Sequence, residues 1–100
     1  MDSTDNTLPE YQLKLFITGA SPNSVKAISN LKNICETYLS GRYTLEVIDI
    51  YQHPEAASLE QVIAVPLLVK SFPSPTKRLI GNMSDTAQVL KGLHITKPIL

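Results

Sequence analysis

The sequence predicts an α/β domain in which strands and helices follow one another in the order βαβαββα. Three observations indicate this class. Apolar and polar residues alternate from Tyr11, apolar residues recur at helical spacing after Ser21, and a Pro-Ser-Pro turn separates two β-rich runs beyond residue 66. With 100 residues, of which 43% are hydrophobic, the chain has material for one core and not for two.

The first half predicts a parallel βαβ unit. A strand begins near Tyr11, with apolar residues on both faces as in an interior strand, and stops at a Gly-Ala pair. Ser21 suits the N-cap of the next helix and Pro22 its first position, while Gly41 is predicted as its C′ residue. A second strand is predicted over residues 43–50. The apolar stripe of the helix is formed by Val25, Ile28, Leu31, Ile34, Cys35 and Tyr38 or Leu39.

The second half begins with a short helix and a hairpin. Proline and early acidic residues favour a helix over residues 54–64. Residues 67–72 and 77–80 are both β-rich and are joined by the Pro-Ser-Pro turn, so they predict two antiparallel strands.

The last segment is weakly committed to a helix. Ser84 or Asp85 provides an N-cap, and Gln88 follows Asp85 at capping-box spacing. However, Gly92 in its interior costs about 1 kcal/mol relative to alanine. A strand over residues 89–95 therefore remains an alternative.

The balanced charge conceals an acidic beginning. Nine basic side chains match nine acidic ones, so the net charge provides no field for nucleic acid or an anionic membrane. Residues 1–10 contain three acidic side chains and no basic one, and we expect them to form a tail before a domain at 11–95, with a second tail at 96–100. No apolar run approaches the roughly 20 residues of a membrane span, and the opening residues lack signal-peptide features, so a cytoplasmic location is expected.

The order of elements is that of a thioredoxin-like domain. Pro66 stands directly before the third strand, where such domains usually have a cis proline. Ser21 and Ser24 occupy the spacing at which redox enzymes of this fold have two cysteines, and serine hydroxyls cannot exchange disulfides. Two hypotheses for Ser21 stay open: it caps the helix, which we favour, or it holds the thiolate of bound glutathione.

No catalytic residue, cofactor or metal site is predicted. Cys35 lies on the apolar stripe, where a buried inert thiol is expected. One cysteine and two distant histidines do not make a zinc site, and no glycine-rich phosphate loop occurs. The second half is nevertheless basic, which fits a solvated face or an acidic protein partner better than nucleic acid. Its basic residues are Lys70, Lys77, Arg78, Lys91 and Lys97.

Four runs of the sequence together resemble one protein family. They are YQLKLFITGASPNSVKAISNLKNICE, GRYTLEVIDIYQHPE, AVPLL and KRLIGNMSD, within residues 11–85. In combination they are similar to the KaiB family of circadian-clock proteins. The resemblance implies a non-enzymatic partner of a KaiC-type hexameric ATPase, and in cyanobacteria also of KaiA or a sensor histidine kinase. A role in circadian timing or in a related stress adaptation follows from it.

The resemblance also implies a metamorphic second half. Members of the family have a resting homo-oligomer, a tetramer of order βαββααβ, and a thioredoxin-like, binding-competent monomer of order βαβαββα. We expect Gly92 and His94 to tune this equilibrium, although the family has aspartate where this chain has His94. Family members carry lysine at the position of Gln61 and alanine at that of Thr44. The expected partner-binding or oligomer surface consists of Lys26, Thr44, Gln61, Lys70, Lys77 and Arg78.

Overall fold

Four strands and three helices make up residues 10–95, the part of the chain that the computed structural model describes. They are β1 (Tyr11–Ile17), α1 (Pro22–Tyr38), β2 (Tyr43–Asp49), α2 (Pro54–Leu59), β3 (Leu67–Phe72), β4 (Lys77–Ile80) and α3 (Thr86–Gly92). The predicted order βαβαββα is thus confirmed. Apart from the exposed Glu10, the two predicted tails at 1–10 and 96–100 lie outside the described residues.

The strands form one sheet in the order β2-β1-β3-β4. β1 is parallel to β2 and antiparallel to β3, and β4 returns antiparallel to β3. The predicted parallel unit and hairpin are both present. β2 and β4 are the edge strands of the sheet.

α1 begins as predicted and ends earlier than predicted. The Ser21 hydroxyl accepts the N–H of Ser24 over 3.3 Å, and Pro22 occupies the first turn. The helix is closed at Leu39, so Gly41 is not its C′ residue and instead takes a φ of +74° in the turn before β2.

The predicted apolar stripe of α1 is buried at Leu31, Ile34, Cys35 and Leu39, but Val25 is not part of it. Val25 is 52% exposed, whereas Ser24 and Ala27 are fully buried and continue into Leu31. Val25 follows Ser24 by one residue, or about 100° around the helix, so the two cannot face the core together.

The sheet has a core on each face. Leu13, Leu15 and Ile17 of β1 pack with α1 and α3, and Leu68 of β3 joins them. Phe16 points to the opposite side, which we call the α2 face, and packs there with Ile48, Leu67 and Val69. This confirms the prediction that β1 is an interior strand with two apolar faces.

α2 is shorter than predicted because the chain turns away from the helix at Gln61. The helix stops at Leu59, Glu60 is its C-cap, and Gln61 has a φ of +56°. The N–H of Val62 then donates to the carbonyl of Ala57 over 2.9 Å. Residues 60–64 therefore leave the helical path.

α3 is helical to Gly92, so the alternative of a strand over residues 89–95 is wrong. The Asp85 carboxylate accepts the N–H of Gln88 over 3.1 Å, as the N-cap prediction requires. Val89 and Leu90 are buried against the α1 side of the sheet. None of the helices in residues 10–95 has the length and apolar character needed to cross a membrane.

Candidate partner-binding surface

The α2 face exposes three large aliphatic side chains. Leu59 at the end of α2 is 85% exposed, Ile63 is 93% exposed and Ile80 on β4 is 64% exposed. Ile80 points to this face because its neighbour Leu79 packs against the core on the other side. Several exposed apolar side chains on one face are typical of a surface that another protein covers.

Arg78 ties the end of α2 to β4. Its guanidinium donates to the carbonyl of Glu60 over 2.9 Å and to that of Gln61 over 3.1 Å. A cation at a helix C-terminus is favourable because the carbonyl groups there carry partial negative charge. The structure thus brings together two of the predicted contact residues, Gln61 and Arg78, beside the exposed aliphatic side chains.

Thr44 lies on the same face, near the start of β2. It is exposed, and its hydroxyl donates to the Glu10 carboxylate over 3.2 Å. With Lys14 and Glu46 it borders a shallow depression of about 170 Å³. Lys14 also reaches the Glu60 carboxylate at 3.7 Å, which links this polar end of the face to α2.

Lys26 and Lys77 do not join this surface. Lys26 is exposed on α1, on the opposite side of the sheet. Lys77 lines a groove between β4 and α3. The six predicted contact residues therefore do not form one continuous surface in this fold.

The prediction that Lys70 belongs to a surface is wrong, because its side chain is buried in this fold. Its side chain is 1% exposed on the α1 side of β3, next to Leu68 in the alternation of the strand. The ammonium group donates to the carbonyl of Pro73 over 2.7 Å and lies 6.0 Å from the centre of the Tyr11 ring. Burial and, to a lesser extent, the nearby charge of Lys77 lower the pKa of Lys70.

The two predicted switch residues lie at the end of α3. Gly92 packs so closely on β4 that a Cβ atom there would lie 2.6 Å from Cδ2 of Leu79. His94 follows the helix with a φ of +57°, a left-handed conformation that side chains disfavour. The Tyr11 hydroxyl donates to the carbonyl of His94 over 3.4 Å, which connects this end of α3 to β1.

The position of the thioredoxin cysteines holds a closed network of hydroxyl groups. Ser21 donates to Oγ of the fully buried Ser24 over 2.8 Å, and Oγ of Ser24 also accepts the N–H of Thr18 over 3.1 Å. Ser21 is thus the helix cap that we favoured from sequence. The Val65–Pro66 peptide bond, before β3, is cis.

Two other reactive groups, the Cys35 thiol and the Asp49 carboxylate, have surroundings that fit structural roles. Burial, reinforced by the charge of Glu36, raises the pKa of the Cys35 thiol to about 12, so its nucleophilic thiolate is disfavoured. The Asp49 carboxylate accepts the N–H groups of Gly19 over 3.1 Å and Tyr51 over 2.9 Å. Within residues 10–95, no cluster of three His, Cys, Asp or Glu side chains could hold a metal ion.

The chain is similar in sequence to circadian clock oscillator proteins. The KaiB domain family matches residues 14–95. The chain is 46% identical over 85 residues to the circadian clock oscillator protein KaiB of Picosynechococcus sp., covering 85% of this chain and 82% of that protein. It is 45% identical over 85 residues to the protein of the same name from Synechococcus elongatus, covering 85% and 83%.

Solved structures share the fold at lower identity. The N-terminal domain of Synechococcus elongatus SasA superimposes with a TM-score of 0.70 at 22% identity, covering 98% of this chain and 96% of that domain. The thioredoxin Deadhead of Drosophila melanogaster gives a TM-score of 0.69 at 15% identity, covering 85% and 79%. The fold is therefore thioredoxin-like, as the order of elements predicts.

Proposed function

This chain belongs to the KaiB family, and we propose that it is a non-enzymatic regulatory protein that docks on a KaiC-type hexameric ATPase. Its relatives at about 45% identity are circadian clock oscillator proteins, which supports a regulatory role in a clock. The same docking would serve circadian timing or a related stress-adaptation pathway. The thioredoxin-like fold is, in this proposal, the binding-competent form.

The exposed aliphatic side chains of the α2 face carry the proposal. Leu59 and Ile63 lie on a short helix and the turn after it, and α2 contributes no buried residue of its own. Burying one such side chain in an interface is worth about 1.5–3 kcal/mol. Arg78 and Gln61 provide polar groups at the margin of the same patch. An apolar centre with a polar rim is the usual anatomy of a protein interface.

The surroundings of Ser21 and Cys35 support a non-enzymatic role. The Ser21 hydroxyl is engaged with Ser24, and the Cys35 thiol is 1% exposed with a raised pKa. The alternative of a glutathione-binding domain needs the Ser21 hydroxyl for the ligand thiolate. A titration with glutathione, followed by amide NMR, tests it: shifts at residues 18–24 would support the alternative, and unchanged spectra would contradict it.

Further partners and states belong to the same proposal. KaiA or a sensor histidine kinase would be additional partners if the chain works in a cyanobacterial clock. A homo-oligomeric resting state, a dimer or a tetramer of order βαββααβ, would compete with the form described here. We further propose that residues 11–95 form one domain between tails at 1–10 and 96–100, and that the protein acts in the cytoplasm.

Binding to a KaiC-type hexamer in the presence of ATP tests the proposal. Complex formation over hours is expected for the unaltered chain by co-sedimentation. Ile63→Ser should weaken the complex about tenfold or more, because an interface loses a buried aliphatic side chain. Ile63 is 93% exposed, so this change should leave the stability of the isolated protein within about 0.5 kcal/mol.

Two charge reversals provide a matched comparison. Arg78→Glu alters the margin of the α2 face, whereas Lys32→Glu alters an exposed position on α1. Weaker binding for Arg78→Glu and unchanged binding for Lys32→Glu are expected. No complex under any nucleotide condition, or equal losses for the two reversals, would contradict docking through this face.

A further inference from the structure

A groove separates the edge strand β4 from α3, on the side of the sheet opposite the α2 face. Its volume is about 580 Å³. Leu79 and Val89 contribute apolar surface, and Lys77 and Lys91 line it from β4 and from α3. Ile80 is shared with the α2 face. The docking proposed above for the KaiC-type ATPase uses none of the other residues that line this groove.

The strand that forms one wall of the groove has a free edge. β4 pairs with β3 along one side, from Lys70↔Lys77 to Leu67↔Ile80. On its other side, no strand of residues 10–95 pairs with it. Backbone N–H and C=O groups on such an edge are available to an extended segment of another chain, which adds as a further strand.

The charges of the groove favour acidic ligands. Neither Lys77 nor Lys91 forms an ion pair with an acidic side chain of residues 10–95. Asp85 is the one acidic residue among those that line the groove, and its carboxylate accepts the N–H of Gln88 as the cap of α3. The two ammonium groups therefore remain for carboxylates brought by a partner.

Two other occupants fit less well. A nucleic acid strand would need aromatic side chains for base stacking, and the residues that line the groove include none. A second copy of this chain, pairing antiparallel through its own β4, would place a second strand with two basic side chains and no acidic one beside the first. Like charges on directly paired strands are destabilising.

We propose that this groove binds an extended, carboxylate-bearing peptide segment of another protein, which pairs with the free edge of β4. Backbone hydrogen bonds to β4 provide the register. The carboxylates point into the groove and meet Lys77 and Lys91, and the alternate apolar side chains point to the other face of the sheet. This is a second interaction surface, distinct from the one proposed for the ATPase.

A synthetic peptide tests the proposal directly. The probe is acetyl-Ser-Glu-Val-Asp-Val-Glu-Ser-amide, titrated into the full chain and followed by amide NMR. Shifts are expected at residues 77–80 and 88–94. The double variant Lys77→Glu/Lys91→Glu should lose at least about tenfold in affinity, as expected for two charge contacts turned repulsive. The control, Lys32→Glu/Asn33→Glu at exposed positions of α1, should bind as the unaltered chain does.

Two altered peptides separate charge from strand pairing. A version with lysine in place of each acidic residue should not bind, and a version with N-methylated valines should bind at least about tenfold more weakly because its pairing amides are lost. If the double groove variant does not fold, Lys77→Gln/Lys91→Gln replaces it. Absence of shifts, shifts centred on residues 59–63, or equal affinity for both double variants would overturn the proposal. The binding assay with the ATPase tests the opposite face of the sheet, so this outcome would leave the proposed docking on the ATPase unaffected.

Discussion

The backbone N–H of Ile95 donates to the carbonyl of Leu90 over 2.8 Å and closes the last helix of the domain. The N–H of His94 donates in parallel to the carbonyl of Lys91 over 3.2 Å. This pair of bonds is the Schellman motif, whose left-handed residue is most often glycine. Here the left-handed residue is His94, so a position expected to tune the conformation carries backbone strain in this fold.

Replacing that residue by glycine should stabilise the thioredoxin-like fold. His94→Gly is expected to raise the free energy of unfolding by about 1 kcal/mol, since glycine accepts positive φ without the Cβ penalty. Urea unfolding of the monomeric form measures the change. His94→Ala retains the strained Cβ and should bring no such gain; an equal gain in both variants would contradict the backbone explanation.

The end of α2 has the same construction around Gln61. The N–H of Gln61 donates to the carbonyl of Ser58 over 3.1 Å, and that of Val62 to the carbonyl of Ala57 over 2.9 Å. Gln61→Gly should therefore stabilise the fold by about 1 kcal/mol as well, because the hydrogen bond from Arg78 goes to the Gln61 backbone and survives. Urea unfolding measures it, with Gln61→Ala as the control. A glycine variant no more stable than the alanine variant would contradict this prediction.

Gly92 has a different role, set by its contact with Leu79. Alanine has the higher helix propensity by about 1 kcal/mol, but its Cβ would lie 2.6 Å from Cδ2 of Leu79. We expect Gly92→Ala to bring less than that gain in the unaltered chain and most of it when Leu79 is also replaced by alanine. A double-mutant cycle in urea measures this coupling. Additive effects of the two substitutions would show that the contact does not oppose the helix.

The lowered pKa of Lys70 predicts that the stability of the fold depends on pH. Burial and the charge of Lys77 lower its pKa in the folded chain below the ordinary value of 10.5. The unfolded chain then binds more protons between the two pKa values, so this residue makes stability rise with pH across that window, up to 10.5. Lys70→Met should remove the rise, and Lys32→Met, at an exposed lysine, should retain it. Urea unfolding at a series of pH values measures both; parallel profiles for the two variants would contradict the prediction.

The first half of the fold could be predicted because its local signals agree. Alternation in β1 and the Ser21-Pro22 start of α1 both indicate the structure that forms. The end of α2 could not be predicted, because a left-handed glutamine carries no sequence signal comparable to that of glycine. α3 forms because Val89 and Leu90 pack in the core, and this packing outweighs the low helix propensity of Gly92.

The candidate surface was only partly predictable. Gln61 and Arg78 came from the family resemblance, and the structure joins them through a hydrogen bond. Leu59 and Ile63 were missed, since an apolar residue in a short helical run looks the same whether it is buried or exposed. Lys70 was misplaced because its charge suggested the surface. The alternation of β3, which puts it on the side of the buried Leu68, was the signal that could have corrected this.

Hydrogen–deuterium exchange of the complex with a KaiC-type hexamer in ATP locates the docking surface most directly. We predict slower exchange on binding in residues 59–63 and 78–80, and unchanged exchange in the exposed turns of α1 around Lys32. Protection confined to α1, or the absence of any complex, would contradict docking through the α2 face.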